Sequence, residues 1–211
     1  MSWRGLGVLV LLAAVGVTAG LAVGFQQRPS VATGGTAEPL PATSPSVPVD
    51  PPPSIAPDSD FPPMATGLPT HEERVGDRAF GVVVPVPDGW DKFQLGSAEY
   101  RWTHAGNPTN SYSVRVENVF SQRLSIEQIM GDRIEAVSQL PGYELESQNS
   151  DTMVFRYVDE TSHERLQMLR WISPRATGTA EAEISIVGRE VDRAGMRDLF
   201  AVITNDARLP D

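Results

Sequence analysis

The region from residue 71 to 211 predicts an α+β domain, an antiparallel β-sheet flanked by two amphipathic helices. Short segments with apolar residues at every second position recur through it. Two apolar stripes at helical spacing interrupt them, one midway and one at the C-terminus. Strands followed by a helix, twice over, match an antiparallel sheet covered by helices, and no solenoid period is visible.

The first segment, "RAFGVVVPVPDGW", sets Phe80, Val82, Val84 and Val86 on one face before a Pro-Asp-Gly turn leading to Trp90. In "EYRWTH" (99–104) Tyr100 and Trp102 share a face. Residues 106–110, Gly-Asn-Pro-Thr-Asn, read as a loop. "YSVRVENVF" (112–120) pairs Val114 with Val116. Ser125 then opens a helix: with Gln128 it forms a capping box, and Ile126, Ile129, Met130, Ile134 and Val137 make the apolar stripe. Pro141-Gly142 ends that element.

The second half repeats the pattern. "YELES" (143–147), "MVFRYV" (153–158) and "RLQMLRWI" (165–172) are read as strands. In "AEAEISIV" (180–187), Ala182, Ile184 and Ile186 alternate with Glu181, Glu183 and Ser185. A closing helix from about Asp192 lines up Met196, Leu199, Phe200, Ile203 and Ala207 on one face.

Two segments precede the domain. Residues 5–25, "GLGVLVLLAAVGVTAGLAVGF", carry no charge. About 20 such residues suffice for a helix to cross the roughly 30 Å hydrocarbon layer. A signal peptide cleaved after Val17-Thr18-Ala19 is the rival, but the apolar run continues through Leu21, Val23 and Phe25, as an anchor's would. Residues 1–28 are therefore assigned as a single-pass membrane anchor. Arg4 and the terminal amine place the N-terminus in the cytoplasm and the domain outside the cell membrane.

Residues 29–70 hold 12 of the chain's 18 prolines and no basic residue. With too few apolar groups to offset the entropy of ordering, they are expected to form a disordered linker leaning toward polyproline II. A ligand segment for an SH3-like domain is the alternative, weakened by the missing basic flanks.

Composition excludes more than it assigns. The net charge of −10, from 27 acidic and 17 basic residues, argues against nucleic acid as a partner. With no cysteine, disulfides, thiolate nucleophiles and Cys metal sites are excluded. His71, His104 and His163 lie apart with no metal-ligand spacing, and no nucleophile elbow, dinucleotide loop or phosphate loop occurs. No catalytic, cofactor-binding or metal-binding residue is assigned.

Glu181 and Glu183 share a strand face and would suit paired-carboxylate chemistry, but alternating charges on an antiparallel strand ordinarily mark a solvated face, and that reading is preferred. Trp90, Trp102, Trp171, Tyr100, Tyr112 and Tyr157 are core candidates, with a groove for an acyl chain or a glycan as the alternative. Trp171 shares its face with Gln167 and Leu169, opposite Leu166, Met168 and Ile172.

"FGVVVPVPDGW", the valine-rich strand, a helix ending in "LPGYE", a hairpin and a C-terminal helix together resemble the actinobacterial LpqN/LpqT-like family of cell-envelope lipoproteins, which are similar to Mog1/PsbP-like α/β/α sandwiches. The resemblance spans about residues 75–210. It implies an extracytoplasmic binding or accessory domain that docks envelope proteins or lipids and is no enzyme; residues 71–211, which hold both helices and all the expected strands, are expected to fold as a monomer. A hydrolase using Glu181 and Glu183 is the alternative. The family's lipobox cysteine is absent, and a transmembrane helix takes the place of the lipid anchor.

Overall fold

The computed structural model describes residues 54–107 and 111–210. The uncharged run 5–25 and the linker as far as residue 53 lie outside them. Among the described residues no helix is long and apolar enough to cross a membrane.

The nine strands among the described residues follow from side-chain alternation or from pairing with a neighbouring strand. β1 (Thr70–Val75) and β2 (Val82–Pro87) form an antiparallel ribbon. The chain then turns at Gly89, whose φ of 72° lies in the left-handed region that glycine adopts freely. This Pro-Asp-Gly turn does not close a hairpin; it carries the chain from the ribbon into a second sheet. That sheet holds β3 (Trp90–Gly96), β4 (Glu99–His104), β5 (Ser113–Asn118), β6 (Glu144–Gln148), β7 (Thr152–Val158), β8 (Glu164–Ile172) and β9 (Ala182–Gly188). Its order is β3-β4-β5-β9-β8-β7-β6, antiparallel throughout.

The two expected helices are present. α1 (Ile126–Val137) starts at Ser125, whose side chain accepts from the Gln128 amide while the Gln128 side chain accepts from the Ser125 amide, the expected capping box. α2 (Arg193–Asp206) follows a short 3-10 turn at Glu190–Asp192. The protein is thus α+β, with antiparallel sheets and two helices.

The strand period divides the core in two. Val114, Val116, Leu166, Met168, Ile184 and Ile186 project from one face of the large sheet onto Met196, Leu199 and Ile203 of α2 and onto Val82, Val84 and Val86 of the ribbon. Met153, Phe155, Leu169 and Trp171 project from the other face onto Ile129, Met130 and Val137 of α1. β2 is buried on both faces, and β9 is too except at Val187, which is half-buried. Phe80 departs from its expected place beside Val82. It lies outside β2, is exposed, and stacks on Phe120 with ring centroids 5.1 Å apart.

The boundary between linker and domain also moves. Residues 54–69, read from sequence as linker, are strapped across the start of α2. Arg189 is 2% exposed, and its guanidinium donates to the carbonyls of Ser59, Phe61 and Pro62 and to both carboxylate oxygens of Asp192. Asp192 in turn accepts from the Met64 amide at 2.9 Å, and Asp198 from the Gly67 amide at 2.7 Å. Met64 is buried. A proline-rich stretch has few backbone donors to place, so carbonyls held by a buried arginine can order it without secondary structure. Where the strap crosses α2, a Cβ on Gly195 would lie 2.3 Å from the Met64 carbonyl oxygen, so only glycine fits.

Edge strand β6 is tied down by charge rather than by burial. Glu146 accepts two hydrogen bonds from Arg193 at the head of α2 and one from Arg156 of β7. The bonds from Arg193, opposed by partial burial and reinforced by Arg156, hold the Glu146 carboxyl down at about 2.

Two outcomes follow. Gly195→Ala in the full-length chain must displace the strap, which at an overpacking cost of about 1–3 kcal/mol lowers Tm by roughly 2–8 °C. It also opens Phe61 and Leu68 to chymotrypsin, so unchanged protection and unchanged Tm would show that the strap is not held there. Glu146→Gln removes a stabilisation that is complete above the carboxyl's ordinary value of 4.5 and lost as pH falls toward about 2. Urea titrations should find a deficit of about 1 kcal/mol at pH 7, reduced by solvent screening on this face, that shrinks steadily below pH 4.5. A deficit independent of pH would show that the ion pairs contribute nothing.

Candidate functional site

The two carboxylates singled out in the sequence are not on a solvated face. Glu181 is 0% and Glu183 1% exposed. Their alternation with Ala182, Ile184 and Ile186 is as expected, but α1 and the loop before β9 cover the side that was read as wet. Each buried charge is met by arginine. Glu183 accepts from Arg133 of α1 at 2.7 and 2.8 Å, from Arg115 of β5 at 3.0 Å and from the Trp171 indole N–H at 2.9 Å. Glu181 is bonded by the Arg175 side chain and accepts from the Arg175 amide at 3.0 Å.

Arg115 is the hub of this cluster. Its three guanidinium nitrogens donate to Glu99, Glu117 and Glu183. Burial works against its charge, yet the hydrogen bond to Glu99 and the charges of Glu183, Glu117 and Glu99 outweigh burial and hold the guanidinium above its ordinary range. Glu117 is raised as well: burial pushes its carboxyl up, with Arg115 opposing.

Beside this cluster lies a groove. α1 packs on the β8 side of the large sheet, which leaves the same face uncovered toward β3, β4 and β5. The groove has a cavity volume of about 570 Å³ and is bounded by Leu95 of the edge strand, Leu140 and Pro141 after α1, Tyr157, the turn at residues 159–161, and Val187. Arg101, Arg115 and Arg165 complete its wall. Leu95 and its strand neighbour Phe93 are large apolar side chains exposed to solvent. Apolar walls with a few polar groups, at this volume, are typical of a small-molecule cleft.

The arginines of the wall were missed in the sequence, although the signal was present. "EYRWTH" and "YSVRVENVF" each put an arginine on the face opposite the apolar one, and "RLQMLRWI" puts Arg165 on the face of Gln167 and Leu169. Register brings two together: Arg101 faces Arg115 across β4 and β5, while Arg165 lies opposite Tyr157.

The remaining candidates disperse. Trp102, Trp171 and Tyr112 are buried core, whereas Trp90, Tyr100 and Tyr157 are half-buried. Trp90, Tyr112 and His104 gather round Phe61 of the strap, so that aromatic group is filled by the chain itself. His71 bonds Asp88, and His163 contacts Thr161. No group of acidic and histidine side chains suited to a metal occurs among the described residues.

No protein-family model and no curated protein matches the sequence. Solved structures similar to it include the following two. One is a mutant of protein Mog1, 10% identical, aligned over 67% of this chain and 97% of that one with a TM-score of 0.43. The other is LpqN of Mycobacterium tuberculosis, described as involved in cell envelope biogenesis, 14% identical over 67% and 92% with a TM-score of 0.41. At these identities the likeness concerns the course of the chain and says nothing of the groove.

Glu183 gives this subsection its test. Glu183→Gln leaves Arg133 and Arg115 without a charge that both share, and breaking a buried pair costs about 3 kcal/mol. Chemical denaturation should record that loss; a change within about 0.5 kcal/mol, the range of an ordinary surface substitution, would remove Glu183 from its structural role.

Proposed function

We propose that this chain is a membrane-anchored binding module of the cell envelope, without catalytic activity, whose ligand is an amphiphilic molecule lying in the groove between α1 and the β3-β4-β5 half of the sheet. The observation that carries the reading is the groove itself: an open cleft of about 570 Å³ walled by Leu95, Leu140, Pro141 and Val187 on a sheet face that no helix covers. Water held against those side chains is released when an apolar chain replaces it, at roughly 25 cal/mol for each Å² covered. The envelope setting rests on the uncharged run 5–25 and the proline-rich residues that follow it.

Binding is favoured over hydrolysis by the state of the carboxylates. Glu181 and Glu183 are buried and held by Arg175, and by Arg133 and Arg115, respectively. A buried carboxylate whose oxygens are taken by guanidinium groups has no open side for a substrate. The two serve the sheet rather than a reaction.

The test uses the full-length chain in zwitterionic vesicles with a photoactivatable long-chain alcohol, a probe that is apolar and uncharged. Labelling should map to peptides around Leu95, Leu140 and Val187. Leu95→Asp, an exposed substitution that spares the core, should reduce it about tenfold, since losing one Leu contact forfeits roughly 1.4 kcal/mol or more. Labelling absent from the groove, or indifferent to Leu95→Asp, would defeat the proposal.

A further inference from the structure

The groove contains a cation that the protein leaves unanswered. Of its three arginines, Arg115 is bonded to Glu99, Glu117 and Glu183, and Arg165 to Asp58 and Asp159. The Arg101 side chain makes no hydrogen bond or ion pair among the described residues. Its Nε is buried and without a partner, and its one charge contact is with the Phe93 ring, 5.8 Å from the guanidinium carbon. The chain has ten more acidic than basic residues, and carboxylates are plentiful near the groove. Those carboxylates are engaged elsewhere: Glu99, its neighbour two residues away on β4, is turned to Arg115 across the strands, and Asp159 is bonded to Arg165 and capped by Thr161 and His163. Glu160, exposed on the rim, leaves Arg101 unpaired as well.

A half-buried guanidinium with an orphaned Nε is costly unless something completes it. We infer that Arg101 is the anion-recognising group of the groove, and that the ligand is an amphiphile whose head carries two coplanar anionic oxygens, a carboxylate or a phosphate monoester, with its apolar chain against Leu95, Leu140 and Val187. The planar fork of arginine donates two parallel N–H···O bonds to such a head, which an ammonium does not match. Position supports the assignment. Arg101 stands on β4, next to the edge strand that carries Phe93 and Leu95, so head and chain fall within the span of one lipid.

The inference rests on the amphiphile reading above, and the experiment separates their failures. The full-length chain in zwitterionic vesicles is labelled in parallel with a photoactivatable fatty acid, the matching lysophosphatidate and the matching fatty alcohol, for wild type, Arg101→Gln and Arg101→Lys. One or both anionic probes should label the groove at least about fivefold more than the alcohol, a charge-assisted increment of roughly 1 kcal/mol. Arg101→Gln should abolish that preference while leaving alcohol labelling and Tm unchanged, and Arg101→Lys should restore only part of it. Whichever anionic probe leads identifies the head as carboxylate or phosphate. Equal labelling by all three probes, or a preference that survives Arg101→Gln, overturns the role of Arg101 while the groove reading stands. Millimolar inorganic phosphate that displaces the anionic probes would overturn the inference also, by showing that the site reads a free anion. If the alcohol does not label the groove either, the amphiphile reading itself has failed.

Discussion

A carboxylate sits in the middle of this sheet with almost no water around it, and much of the molecule is arranged to answer it. Glu183 lies on β9, which has strands on both sides and a hydrophobic layer on both faces. An ion there is tolerated only with partners, and its partners come from three elements: Arg115 on β5, Trp171 on β8 and Arg133 on α1. The last of these fixes where α1 rests. With the helix held over Glu183, it cannot also cover β3, β4 and β5, and their uncovered face is the groove. The polar cluster and the cleft are therefore one arrangement, in which neutralising a buried charge decides which part of the sheet stays open.

Much of the fold was legible because local patterns and tertiary structure agree. The capping box at Ser125, the stripe of α1 and the alternation in β5, β7, β8 and β9 lie where the spacing put them. β1 and β3 were not legible, for a shared reason. "THEERV" and "WDKFQLG" are edge or ribbon strands whose solvent contact lets polar residues dominate, so hydrophobic period says little. The strap was misread for the opposite cause: its proline content is that of a linker, and what orders it is a buried Arg189 more than a hundred residues downstream.

The site shows the limit of reading one strand at a time. Alternation correctly put Glu181 and Glu183 on the face opposite Ile184, but whether that face meets water depends on α1, and no periodicity in β9 records where a helix will land. The arginines are the converse. Each was visible on its strand, and only the register of β4 with β5 and of β7 with β8 reveals that Arg101, Arg115 and Arg165 border one cleft, and that two of the three are already neutralised.

The strap also decides where a pull on the chain is felt. A tension applied upstream of residue 54 does not peel β1 from β2, the weak direction for a ribbon. It meets the bond from the Ala56 amide to the Ser162 carbonyl and the Asp58–Arg165 pair, and then the Arg189–Asp192 fork, where the carbonyls of Ser59, Phe61 and Pro62 and the amide of Met64 are gripped side by side. Several charge-assisted bonds must then yield nearly together rather than one after another. The domain can be tugged, crowded or dragged by whatever lies before residue 54 while the sheet and its cleft keep their shape.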